Sequence, residues 1–142
     1  GQALIYLLDT NAVSDWLGPG ADTITQRIER SLFSGDQVAI CQPVYYELVR
    51  GLLWKQAPKK LTVLREKIIP LLDYIPLDDE DWLQAARLWA DTRRQGRQLS
   101  DVDVLVAAVA FRRSAIIVSS DTDFDSLPVR REDWRIPLDT QG

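Results

Sequence analysis

Short aliphatic runs, each too brief for anything but a strand, alternate along this chain with longer stretches of helical periodicity. The runs fall at 3–8, 38–40, 74–76, 115–118 and 135–138, and the first and fourth are apolar without alternation. Strands of that kind are covered on both faces, as in a parallel sheet. Helical patterns fill the intervals at 11–17, 22–33, 43–54, 59–69, 79–94 and 101–113. Pro43 suits a first helical turn, where no N–H is required. Gly35 and Gly96 stand where helices should stop, because glycine accepts the left-handed backbone of a helix end. In 79–94, Trp82, Ala85, Ala86, Trp89 and Ala90 share one face. Strand and helix in alternation predict an α/β fold with helices on both sides of a central sheet. No repeat or linker divides the chain, so a single domain is expected over 3–138.

Composition narrows the chemistry. The chain contains no histidine, which removes the commonest general base and the commonest transition-metal ligand. Cys41 is the lone cysteine, so no internal disulfide and no cysteine zinc site can form, and a reducing, cytoplasmic setting is expected. Any metal would be held by oxygen, which favours Mg²⁺ or Mn²⁺. No apolar stretch approaches the ~18 residues of a membrane span. The net charge of −4 argues against indiscriminate nucleic-acid binding, yet arginines cluster at Arg93, Arg94 and Arg97, at Arg112 and Arg113, and near the end of the chain. They form either a basic rim around an acidic centre or a scatter of solvated side chains.

Four carboxylates stand at the ends of apolar segments or inside them. Asp9 closes the first run in "LIYLLDTNAVSDWL" and could cap the helix that follows or face a crevice. Asp121 follows "AIIVSS" at the end of the fourth run, where loop aspartates also bond local backbone. Ligands of open α/β sheets collect at the carboxyl ends of strands, so both would face one crevice if those strands are neighbours. Glu47 lies on a turn with Val44, Leu48 and Gly51, either paired with Arg50 or aimed inward with Gly51 leaving it room. In "LSDVDVLVAAVAF", Ser100 and the first-turn acids read as a helix start. That explains one aspartate: Asp101 fits the cap, and Asp103 points to the interior. Four ionised carboxylates at ~5–6 Å would repel by about 3 kcal/mol per pair at an effective dielectric of 20. A fold stable by only ~5–15 kcal/mol would need protonation or a divalent cation to hold them.

The segments "LLDTNAVSDWL", "YYELVRG", "LSDVDVLVAAVA" and "IIVSSDTDFDSLP" resemble, in order and spacing, those of PIN domains, and in particular the VapC-like ribonuclease toxins of toxin–antitoxin pairs. The resemblance covers residues 4–138. It implies a three-layer α/β/α sandwich with a five-stranded parallel sheet in the order 3-2-1-4-5, which sets strands one and four side by side. It implies that Asp9, Glu47 and Asp103 are the three acidic metal-site residues and Asp121 the more variable fourth, with Asp123 the alternative and Asp101 an extra acid nearby. The usual threonine before the fourth acid appears here as Ser119 or Ser120. Metal-dependent endoribonuclease activity would follow, with Mg²⁺ or Mn²⁺ on those carboxylates, and with Thr10, Asn11 and Ser119 orienting oxygens around it. Arg93, Arg94, Arg97, Arg112 and Arg113 could hold the RNA backbone. The implied partners are an antitoxin protein, a second copy of the chain and RNA, with DNA reached only through the antitoxin. The alternative is a PIN-like module that binds RNA or regulates without cutting. A phospho-receiver is excluded because no lysine follows Lys67, and nucleotide-binding glycine motifs are absent.

Overall fold

The computed structural model describes residues 3–138. Five parallel strands form one sheet: β1 (Ile5–Leu8), β2 (Gln37–Cys41), β3 (Asp73–Ile75), β4 (Ile116–Val118) and β5 (Arg130–Glu132), in the order β3-β2-β1-β4-β5. Six helices accompany them: α1 (Thr10–Leu17), α2 (Asp22–Phe33), α3 (Gln42–Trp54), α4 (Pro58–Val63), α5 (Asp79–Arg94) and α6 (Asp101–Arg113). The result is the α/β sandwich that the alternating pattern predicts, with the strand order implied by the resemblance.

The central strands are buried for the expected reason. Leu7 pairs with Ala39 on one side and Ile117 on the other, and all three are fully enclosed. The register of β1 on β4 sets Leu8 opposite Val118, so the next residue of each strand, Asp9 and Ser119, leaves the sheet at the same level. Helix α6 is the most enclosed helix, with every residue from Val104 to Ala110 buried. It ends at Ser114 in the left-handed conformation, φ 52°.

Three local expectations are corrected. The fifth strand is Arg130–Glu132, not 135–138. It lies at the sheet edge, where one neighbour suffices and charged residues discourage further pairing. The expected segment instead follows a turn that seats Trp134 against Tyr6, ring centroids 4.8 Å apart, while Arg27 donates to the Ile136 carbonyl at 2.7 Å. The helix expected at 59–69 is regular only over Pro58–Val63; it widens into a π-helical turn at Leu64–Ile68 and tightens into a 3₁₀ turn at Ile69–Leu71, where Pro70 cannot donate. The face of α5 built on Trp82, Ala86 and Trp89 is exposed, and the helix buries Asp81, Ala85, Leu88 and Thr92 instead.

Asp81 is buried because it is fully bonded. It closes a reciprocal cap with Asp78 at the start of α5. It also accepts from Arg112 at 2.7 Å and from Arg113 at 2.8 Å, both at the far end of α6. The two arginines tie α5 to α6.

Candidate functional site

Asp9 is 4% exposed. It occupies the position before α1, but its side chain makes no cap bond; it turns instead toward β4. The Ser119 hydroxyl donates to Asp9 Oδ2 at 3.0 Å, and accepts from Asn11 Nδ2 and from the Asp121 backbone N–H, each at 3.0 Å. One hydroxyl thus joins the ends of β1 and β4. Asp9 Oδ1 is buried with no hydrogen-bond partner, and so is the neighbouring Thr10 Oγ1. Two unpaired buried oxygens side by side are costly, at ~1–3 kcal/mol each, unless something electropositive meets them.

The other acids arrive from separate elements. Ser100 caps α6 by accepting from the Asp103 N–H at 3.1 Å, and its hydroxyl also favours the charged form of the half-buried Asp103 carboxylate. Glu47 comes from the middle of α3 and pairs with Arg50 at 3.3 Å. Asp121 follows β4, and its Oδ1 accepts from the Asp123 N–H at 2.9 Å. Of these two, Asp121 is the one bonded into the strand end, through Ser119; Asp123 is exposed.

Electrostatics records the convergence. Burial raises Asp9 to about 6, the Thr10 amide and Ser119 hydroxyl pull against it, and the Asp103 and Glu47 carboxylates push it further up. Asp103 is raised as well, first by burial, then by Asp121, Glu47 and Asp123. The acids therefore share one field. They are not drawn into a closed ligand set: among the described residues, no three acidic side chains already stand close enough to grip an ion. A fit to a divalent cation rests on the unpaired Asp9 Oδ1, the unpaired Thr10 Oγ1 and the all-oxygen donor set. Burial pushes the Cys41 thiol up to about 12, which leaves it inert at neutral pH.

The remaining sequence candidates divide. Thr10, Asn11 and Ser119 lie in the centre, and Asp101 is exposed one residue before buried Val102. Arg97 sits in the connection that leads into α6; Arg94 pairs with Asp91, and Arg93 covers the Trp89 ring. Arg112 and Arg113 lie at the opposite end of α6 and are engaged by Asp78 and Asp81.

Sequence reasoning passed over two contributors. Arg131 grips Asp125 with two nitrogens, at 2.8 and 3.0 Å, and donates to the Ser119 carbonyl at 3.1 Å, pinning the loop that carries Asp121. Lys55, Lys59 and Lys60 line a cleft of about 700 Å³ together with Thr10 and Glu47. Their signal was present: all four lysines of the chain fall between 55 and 67.

Comparison with known proteins agrees with this architecture. The family model of the PIN domain matches residues 6–129. Ribonuclease VapC11 of Mycobacterium tuberculosis is 30% identical over 124 residues, 85% of this chain and 90% of that protein. The tRNA(fMet)-specific endonuclease VapC of Shigella flexneri is 25% identical over 92% of this chain and 98% of its own length. The DNA-bound VapBC structure from Salmonella typhimurium superposes with a TM-score of 0.81 at 24% identity, covering 92% of this chain and 98% of that one. With the acids of β1, α3, α6 and the β4 end in one field, and a family model spanning them, the chain belongs to the PIN domain family.

Proposed function

We propose that this chain is a divalent-metal-dependent endoribonuclease that acts as the toxin of a toxin–antitoxin pair. The observation that carries the reading is the buried, unpartnered Asp9 Oδ1 in the field of two carboxylates delivered by other helices. Asp9, Glu47, Asp103 and Asp121 would hold Mg²⁺ or Mn²⁺, directly or through water. Such an ion would supply positive charge against the developing phosphate charge and would lower the pKa of a water, so that hydroxide is available to displace the leaving oxygen from phosphorus. Ser119 and Asn11 fix one oxygen of Asp9, so that the other keeps its direction. The names of the relatives, ribonuclease and tRNA-specific endonuclease, support RNA as the substrate.

Among the structural relatives are toxin–antitoxin complexes, three of them on DNA, which supports an antitoxin partner and DNA contact through that partner. A second copy of the chain is also expected. The exposed apolar groove between α3, α5 and α6, about 770 Å³ and lined by Tyr46, Trp82 and Trp89, supports a protein partner of this kind.

Asp9→Asn and Asp103→Asn are expected to abolish RNA cleavage in Mg²⁺ or Mn²⁺ while circular dichroism and melting show an intact fold. Undiminished metal-dependent cleavage by both variants would refute the site.

A further inference from the structure

The acidic centre opens on one side into a cleft whose chemistry is of the opposite sign. Its lining joins apolar Leu17, Leu48 and Leu52 to the cations Lys55, Lys59 and Lys60, with Arg50 already paired to Glu47. These lysines are exposed and make no ion pair; every ion pair among the described residues uses arginine. In a chain of net charge −4, three unneutralised cations in one cleft are a concentrated feature.

The turn beneath them is rigid. Gln56 takes the left-handed conformation, φ 52°, and the amides of Lys55, Gln56 and Ala57 donate back to Gly51, Leu53 and Leu52 at 3.0, 3.1 and 3.0 Å. Pro58 then starts α4 with its backbone angle already set. The lysines of α4 are thereby held in place relative to Glu47, on the preceding helix.

We infer that Lys55, Lys59 and Lys60 form the binding track for the stretch of single-stranded RNA that leads into the acidic centre. The inference rests on the nuclease reading above. A phosphodiester chain is the ligand whose alternation of anion and flat apolar base matches this cleft: phosphates along the lysines, unstacked bases on the leucines. A duplex, with its bases turned inward, has nothing to offer those leucines. The lysines also answer an electrostatic need, since a polyanion approaching an acidic pocket must be attracted by something close beside it.

The test uses the full chain carrying Asp9→Asn, so that bound RNA is not cut, and follows a fluorescent single-stranded RNA oligonucleotide by anisotropy over a KCl series. Adding Lys55→Gln, Lys59→Gln and Lys60→Gln is expected to weaken binding about tenfold or more. The slope of log K against log salt should flatten by about 2, because each phosphate contact on a single strand contributes about 0.7. The corresponding triple arginine variant should restore both, and melting should be unchanged because all three side chains are exposed. Equal affinity and equal slope with and without the lysines would overturn the track, as would loss of binding to a glutamate-rich peptide with RNA binding intact. Cleavage of RNA by the unmutated chain in Mn²⁺ serves as the control. If it cleaves and the lysines are indifferent, the track alone fails; if it neither cleaves nor binds RNA, the nuclease reading fails with it.

Discussion

Asp9 and Asp81 are both buried aspartates, and they meet opposite fates. Asp81 sits against two guanidiniums and a reciprocal cap, and despite burial those bonds hold its carboxyl at about 2. Asp9 has one hydroxyl on one oxygen and nothing on the other, and burial lifts it to about 6. The first is an ion-pair network that closes on itself. The second is left unsatisfied, and further acids are added around it. A fold that can neutralise a buried carboxylate so completely at one end of α6 leaves one bare at the other, and the proposed metal-binding role of Asp9 rests on that contrast.

The largest test of this contrast is Asp81→Ala. Removing the shared acceptor opens the cap of α5, leaves Arg113 unpaired and leaves Arg112 with Asp78 alone, and a loss of about 3 kcal/mol, the sum of a cap and charge-assisted bonds, is expected in denaturant unfolding. A loss below 1 kcal/mol would show that the network is decorative. Asp9→Asn should move the other way. In the absence of divalent cation at pH 8, it should stabilise the protein by up to about 3 kcal/mol, since a carboxyl shifted by roughly two units costs that much when ionised.

The pH dependence follows from the same two shifts. Asp9 binds its proton more tightly folded than unfolded, so its contribution is fully present below the unfolded value near 4. It is lost as pH rises through about 6. Asp81 is depressed, so its contribution is present above pH 4 and fades only as pH falls toward about 2. Chelator-treated protein should therefore melt highest near pH 5 and lower at pH 8, with Mn²⁺ restoring the difference. A melting temperature that is flat from pH 5 to 8, with and without Mn²⁺, would break the comparison. The smallest effect belongs to Arg94→Ala: its pair with Asp91 is exposed on both sides, and its removal should change stability by less than about 0.5 kcal/mol.

Much of this contrast could be read before the fold was known, but unevenly. Asp9 and Asp103 stood out because each interrupts an apolar segment, and a uniformly apolar first and fourth run foretold strands buried on both faces, while their adjacency came from the family resemblance alone. Asp81 was invisible: it sits in "DDEDW", a run that reads as a solvated helix start, and its partners lie 31 and 32 residues away. β5 escaped because "RRE" has the composition of a loop and is a strand only through its register on β4. The stripe on Trp82 and Trp89 had the right period and the wrong destination. Periodicity reports that a face is apolar, and tertiary packing decides whether this chain or another molecule covers it. The lysines of the cleft were legible as a cluster, but their placement beside Glu47 depends on the left-handed turn at Gln56, which no glycine announces.

One consequence concerns how α6 is aimed. From Val104 to Ala110 the helix is buried and wholly apolar, so its shaft offers no polar contact to fix its rotation and only the shape of its packing does so. The keys are at its tips: Ser100 with Asp103 at one, Arg112 and Arg113 in the Asp81 lock at the other. A slip of one residue would swing every side chain by about 100°, and both tips would disengage together. A stabilising bond about 15 Å along the helix from Asp103 thus works as the setscrew that fixes the direction of that carboxylate.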